Sequence, residues 1–291
     1  MRPEQALTIY EIRAREDGAF QPFEGASWRD RLGPTLAGLH LEADFAFIFL
    51  AGEACEAVDD FLHDHPGLEL KHIHHLTYAQ WQDGAGAEPL WAGGLLIVPP
   101  GRLMDEAEDV RRLIIDPGLA FGFGGHPTTS RCLDFLARVM RSGPPRTALD
   151  LGCGAGILSL AAALMGVEKT LGVDHSHLAV EASLNNMRLN KLEDRVEFVR
   201  GDARDFAGRP GELLMANLHL SLQNELLKLG AFERRRHVII SGLLPAEGDG
   251  MRAGLEKIGL KLVDQARTDR WSTMLFKLGE SIHLKIDKNS S

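Results

Sequence analysis

Beyond about residue 145 the chain alternates short apolar runs with stretches of helical period. The runs "TALDL" (147–151), "KTLGVD" (169–174), "RVEFVR" (195–200), "ELLMAN" (212–217) and "HVIIS" (237–241) have strand length. Helical patterns separate most of them: "GILSLAAALMG", "SHLAVEASLNNMRLN" and "HLSLQNELLKLG". A further helix, "PAEGDGMRAGLEKIG", leads to two last strands, "LKLVDQART" and "STMLFKL". Such alternation marks an α/β fold and predicts a Rossmann-like, seven-stranded, mostly parallel sheet.

The N-terminal part follows another pattern. "ALTIYEIRA", "DFAFIFLAG" and "LELKHIHHLTYA" look like strands and "EACEAVDDFLHDH" like a helix, which predicts a small α+β domain. Between the first two strands, "AFQPFEGASWRDRLGPTLAGLH" reads as a loop. Residues 81–109 are rich in Gly and Pro, with "LWAGGLLIVPP" suited to a hairpin. The expected division is an α+β domain over 1–85, a linker and hairpin over 86–115, a ligand-binding domain over 116–278 and a polar tail over 279–291.

Composition narrows the function classes. No run approaches the roughly 20 apolar residues of a membrane helix, and "MRPEQALTIYEIRARED" lacks the apolar centre of a secretion signal. Cys55, Cys132 and Cys153 are odd in number and widely spaced, which fits a reducing, cytoplasmic compartment better than a disulfide framework. A net charge of −9 disfavours nucleic acid and suits a basic partner. The "RRR" at 234–236 reads as a solvated loop before "HVIIS" rather than a phosphate site. Histidines 63, 65, 72, 74 and 75 invite a metal, but no cysteine or acid completes a set, so none is expected.

Candidate chemistry sits at the strand ends. "ALDLGCGAGILSL" places Gly152, Gly154 and Gly156 between a strand and a helix, where backbone can approach a cofactor. Asp174 ends the next strand, suited to accept both hydroxyls of a ribose. The spacing is G-x-G-x-G rather than G-x-G-x-x-G, and Asp150 precedes the first glycine. That acid would repel a diphosphate but suits a cationic sulfonium, so S-adenosylmethionine is the expected cofactor. Asp202 in "VRGDAR" is placed for the adenine, with a plain turn residue as the alternative. Asn217 in "MANL" faces the same crevice, either to hold an acceptor amine or to cap the following helix.

Three motifs together resemble the PrmA-type methyltransferases, which modify large-subunit ribosomal protein eleven. "DPGLAFGFGGHPTT" (116–129) is similar to that family's Asp-Pro-Gly-Leu-Ala-Phe-Gly-Thr-Gly-Thr-His-Pro-Thr-Thr loop, "LDLGCGAGILSLAA" to its glycine loop, and "MANL" to its Val-Ala-Asn-Ile. The likeness covers roughly residues 90–278. It implies a class I methyltransferase fold, S-adenosylmethionine held by Thr129, Gly152, Gly154, Asp174 and Asp202, and Asn217 at the reacting amine. His126 is left as a structural residue. Phe123, Gly125 and His219 depart from the family pattern at the expected acceptor mouth. The implied reaction is N-methylation of lysine or another amino group on a basic protein such as a ribosomal protein. Another protein, a small amine, or a non-catalytic partner role remain as alternatives.

Overall fold

The computed structural model describes residues 4–15, 23, 32, 35–41, 45–52, 56–77, 89–101, 110–116 and 126–279. The chain divides into two compact units, residues 1–87 and 88–291. The first unit comprises β1 (Ala6–Ala14), β2 (Leu36–Leu41), β3 (Phe45–Ala51), α1 (Glu56–Asp64) and β4 (Leu68–Thr77). Its antiparallel sheet has the order β2-β3-β1-β4. Tyr10 and Ile12 share a buried cluster with Ile48, Leu50, Val58 and Phe61. Strand β2 lies within the stretch expected to be a loop. A register shift between Leu36 and Gly38 interrupts its pairing with β3. That bulge breaks the two-residue alternation by which a strand is recognised.

The second unit opens with β5 (Leu90–Ala92) and β6 (Leu95–Val98), an antiparallel hairpin, and β7 (Arg112–Ile114), parallel to β6. There follow α2 (Pro127–Arg141), β8 (Thr147–Leu151), α3 (Ile157–Met165), β9 (Lys169–Asp174), α4 (His177–Leu189) and β10 (Val196–Arg200). A short 3₁₀ turn (Ala203–Phe206) precedes β11 (Leu213–Asn217), α5 (Leu220–Lys228), β12 (His237–Leu243), α6 (Pro245–Lys257), β13 (Leu260–Arg267) and β14 (Ser272–Leu278). These last strands form a seven-stranded sheet of order β10-β9-β8-β11-β12-β14-β13. Only β14 runs against the others. The mostly parallel α/β sheet expected from the sequence is present. Its strand order reverses between β8 and β11, and the crevice outside their carboxyl ends is where open α/β sheets bind ligands.

Helix α3, "ILSLAAALM", has no polar face; seven of its residues, Ile157 to Ala163, are buried. A helix apolar all round belongs inside the domain, and its alanines let it lie close to its neighbours. Strand β7 is too short to be seen by periodicity, and side chains complete its pairing. The Asn190 amide donates to Ile114 O (2.6 Å) and accepts from Ile114 N–H (2.9 Å). One turn earlier, Asn186 donates to Asp116 O (2.9 Å) and accepts from Asp116 N–H (2.8 Å). Its Nδ2 also reaches Ala155 O, at 2.9 Å, inside the glycine loop.

Asn186 is fully buried. Asn186→Leu therefore removes three side-chain hydrogen bonds to backbone groups and should lower stability by about 2–4 kcal/mol. Exposed Asn185→Leu should stay within about 0.5 kcal/mol of wild type. Urea unfolding of both variants measures the difference, and equal losses would mean that the amide bridge contributes nothing.

Candidate active site

The chain leaves β8 by turning across β9. The N–H groups of Gly152 and Cys153 both donate to Val173 O, at 2.8 and 3.0 Å. Gly152 has φ 74°, and a Cβ there would lie 2.3 Å from Leu218 Cδ2. The loop ends at Gly156, left-handed at φ 83°, where a Cβ would meet the Phe198 ring at 2.6 Å. Both positions demand glycine through conformation and contact together.

Asp174 is built into this turn. Its Oδ2 accepts from Gly154 N–H and its Oδ1 from Ser176 N–H, each at 2.9 Å. The side chain is 11% exposed, with His175 Nδ1 3.6 Å from Oδ1. Each carboxylate oxygen keeps acceptor capacity beyond its backbone bond. Behind the loop, Asp150 is 1% exposed and accepts from Ser159 Oγ at 2.6 Å. Burial pushes its carboxyl up to about 7; the Ser159 hydrogen bond opposes that rise and the charge of Asp174 adds to it. Burial, with the charges of Asp150 and Asp174, also drives the Cys153 thiol well above its ordinary range, which leaves it a poor nucleophile.

Asn217 ends β11, and its Nδ2 donates to Thr128 Oγ1 at 3.2 Å. His126 caps α2: its Nδ1 accepts from Thr128 N–H (3.4 Å) and lies 2.7 Å from Thr128 Oγ1. Because Nδ1 is the acceptor for that amide, the Thr128 hydroxyl donates to it and must itself accept from Asn217. The Asn217 amide is thereby oriented with Oδ1 turned away from Thr128. Burial lowers the His126 pKa and favours the neutral ring that this chain of bonds needs. The His126 ring also meets Trp271 edge-on, with centroids 5.3 Å apart.

The cap of α5 is His219, whose side chain accepts from Leu222 N–H at 3.4 Å. Asn217 is thus not the helix cap that its sequence also allowed. Asp202 follows β10 and caps the 3₁₀ turn, accepting from Arg204 N–H (2.9 Å), Nε (2.9 Å) and Nη2 (2.6 Å). The Arg204 hydrogen bond holds its carboxyl below the usual range. Thr129 is buried in the first turn of α2, but its neighbour Thr128 makes the contact with Asn217. Phe123 and Gly125 lie outside the described residues. Among the described residues no three His, Cys, Asp or Glu side chains come together as metal ligands, and no helix is long and apolar enough to cross a membrane.

A family model described as ribosomal protein L11 methyltransferase (PrmA) matches residues 53–278. The chain belongs to this family. The match begins well before the motifs at residues 116–129, inside the first compact unit. A curated ribosomal protein L11 methyltransferase of Dictyoglomus turgidum is 32% identical over 194 residues, 65% of this chain and 62% of the relative. That of Pelobacter propionicus is 32% identical over 235 residues, 76% of this chain and 74% of the relative. Several matches thus span less than two thirds of the relative's length, as with Vibrio campbellii, 35% identical over 66% of this chain and 63% of the relative. The solved ribosomal protein L11 methylase of Lactobacillus delbrueckii subsp. bulgaricus has a TM-score of 0.57 and 26% identity, covering 64% of this chain and 96% of its own. This family implies use of S-adenosylmethionine.

Asp150 makes folding depend on pH with a definite sign. Its carboxyl holds a proton up to about 7 in the folded chain, against about 3.9 when unfolded. The folded state binds more protons in that window, so this contribution is complete below the unfolded value and is lost as pH rises to 7. Asp150→Asn removes the dependence. The melting temperature of the variant relative to wild type should be higher at pH 8 than at pH 5; a constant difference would mean that Asp150 ionises normally.

Proposed function

We propose that this chain transfers methyl groups from S-adenosylmethionine to lysine or other amino groups of ribosomal protein L11. The observation that carries this reading is the Asn217 amide at the end of β11, held by Thr128 so that its carbonyl oxygen is free to accept an N–H. The names of the family and its relatives supply the acceptor.

The residues at the strand ends fit the cofactor. Asp174 offers remaining carboxylate lone pairs to ribose hydroxyls. Asp150, which titrates near neutrality, favours a cation over a diphosphate. Gly152, Gly154, Asp174, Asp202 and Thr129 would hold the cofactor in this reading. When bound, S-adenosylmethionine supplies an electrophilic methyl group on a sulfonium. Asn217 Oδ1 accepts one amine N–H and fixes the direction of the nitrogen lone pair. Alignment then supplies much of the rate, since a well-placed nucleophile gains several kcal/mol over free encounter, roughly 7–11 in favourable cases. A lysine amine, with an ordinary pKa of about 10.4, must enter neutral. Residues 1–85 are the proposed recognition element for the protein acceptor.

Incubating the full chain with methyl-labelled S-adenosylmethionine and purified L11 tests the proposal, with label on L11 as the expected result. Asp174→Ala should weaken cofactor affinity by about a hundredfold or more, from two hydrogen bonds to a charged group worth about 1.5–3 kcal/mol each. Its melting temperature should fall too, because Gly154 and Ser176 lose their acceptor. Calorimetry showing near-normal affinity would reject the cofactor assignment. Normal affinity of the wild type without label on L11 would reject the acceptor.

The orientation of Asn217 has its own test. Asn217→Ala should cut turnover about a hundredfold. Thr128→Val should cut it about tenfold by releasing the amide, with cofactor affinity within about twofold and Thr128→Ser restoring the rate. Turnover of Thr128→Val equal to wild type would show that Thr128 does not orient Asn217.

A further inference from the structure

The opposite edge of the large sheet carries a second concavity. A groove of about 950 Å³ runs past the starts of β8, β11 and β12 and the end of β14. Five cationic side chains line it, Arg209, Arg234, Arg235, Arg236 and Lys277, against two carboxylates, Glu212 and Glu233. This excess stands out in a chain of net charge −9.

Three features of the groove are costly in isolation. Arg235 is 6% exposed, so the sequence expectation of a solvated "RRR" is wrong for its central member. Its Nε, Nη1 and Nη2 donate to the carbonyls of Ala231 (2.8 Å), Gly211 (3.0 Å) and Ala207 (3.1 Å), and among the described residues it has no carboxylate partner. Three neutral carbonyls satisfy its hydrogen bonds but not its charge, and buried charges are normally paired. Next to it, Arg234 holds the left-handed φ of 58°, a strained state for a side chain of that size. Its other neighbour, Arg236, is the one paired with Glu212, at 3.5 Å. Finally, His237 Nδ1 is buried with no hydrogen-bond partner among the described residues.

We propose that this groove is a binding site for a phosphate-bearing ligand. One multiply charged oxyanion answers the first and last of these costs, supplying the missing counter-charge for Arg235 and an acceptor for the His237 imidazole N–H, and Arg234 lines the groove beside them. Arg209 and Lys277 make no ion pair among the described residues, and Arg209 lies over the Phe206 ring, 5.7 Å from its centroid. Both are exposed and available to a ligand. Phosphate suits this set better than carboxylate because it concentrates two charges and three oxygens on one centre. An acidic peptide would have to bring several flexible side chains into register. The groove lies across the sheet from Asn217 and Gly152, so it shares no residue with the proposed methyl-transfer site.

The test uses the full chain with three probes: sodium pyrophosphate by calorimetry, and by anisotropy a short labelled oligouridylate and a labelled polyglutamate. At least one phosphate probe should bind, at least about tenfold tighter than polyglutamate and more weakly as salt is raised. Binding of pyrophosphate would identify a small free phosphate as the ligand, and binding of the oligouridylate alone a nucleic-acid backbone. Arg209→Glu combined with Arg234→Glu should weaken the bound probe by about tenfold or more, while Glu233→Gln strengthens it and S-adenosylmethionine affinity stays unchanged. Arg234→Gly removes charge and strain together, so it should weaken phosphate binding with an equal or higher melting temperature. The proposal is overturned if neither phosphate probe binds, if these substitutions leave binding unaltered, or if polyglutamate binds as tightly.

Discussion

Two backbone amides, those of Gly152 and Cys153, converge on the carbonyl of Val173, and the carboxyl edge of the large sheet is arranged around that turn. It bends the chain off β8 across β9 instead of letting it run on into solvent. The bend brings Gly154 N–H onto the Asp174 carboxylate and sets the left-handed Gly156 at the start of α3. It also buries Asp150, whose carboxyl is answered at close range by the hydroxyl and the backbone of Ser159. Remove the turn and the acid pair, the helix start and the close approach of Leu218 to Gly152 are lost together.

The second constraint is the use of amide side chains as pieces of backbone. An asparagine is donor and acceptor at once, so it can pair with a strand as another strand would. Asn190 and Asn186 do this for Ile114 and Asp116, and Asn186 adds a bond to Ala155. At the far side Asn217 instead donates to a side chain, the Thr128 hydroxyl at the start of α2. Asp116 is thereby bonded to the glycine-loop side and Thr128 to the end of β11.

The two edges of the sheet carry opposite electrostatics. At the carboxyl edge, burial raises the Asp150 pKa toward neutrality. At the other, burial lowers the pKa of the Arg235 guanidinium from its ordinary value. Parallel strands produce this separation, because they gather residues distant in sequence at each end. Asp150, Asp174 and Asn217 meet at one edge and Arg209, Arg235 and Lys277 at the other.

The sequence by itself determined the α/β class, the seven strands of the large sheet and the positions of the glycine loop, Asp174 and Asn217. Those features rest on local rules: period, turn residues and the place of a residue at a strand end. Tertiary structure decided what depends on partners remote in the chain. Strand β2 is held by its pairing with β3 despite a bulge that hides its alternation, and β7 by asparagine side chains 76 and 70 residues away. His219 rather than Asn217 caps α5, and Thr128 holds Asn217, because helix geometry selects which side chain faces which neighbour. Arg235 looked solvated beside two other arginines, yet its surroundings come from Ala207, Gly211 and Ala231. A one-dimensional pattern records how often a residue type is exposed; only the folded chain states which carbonyls surround this one.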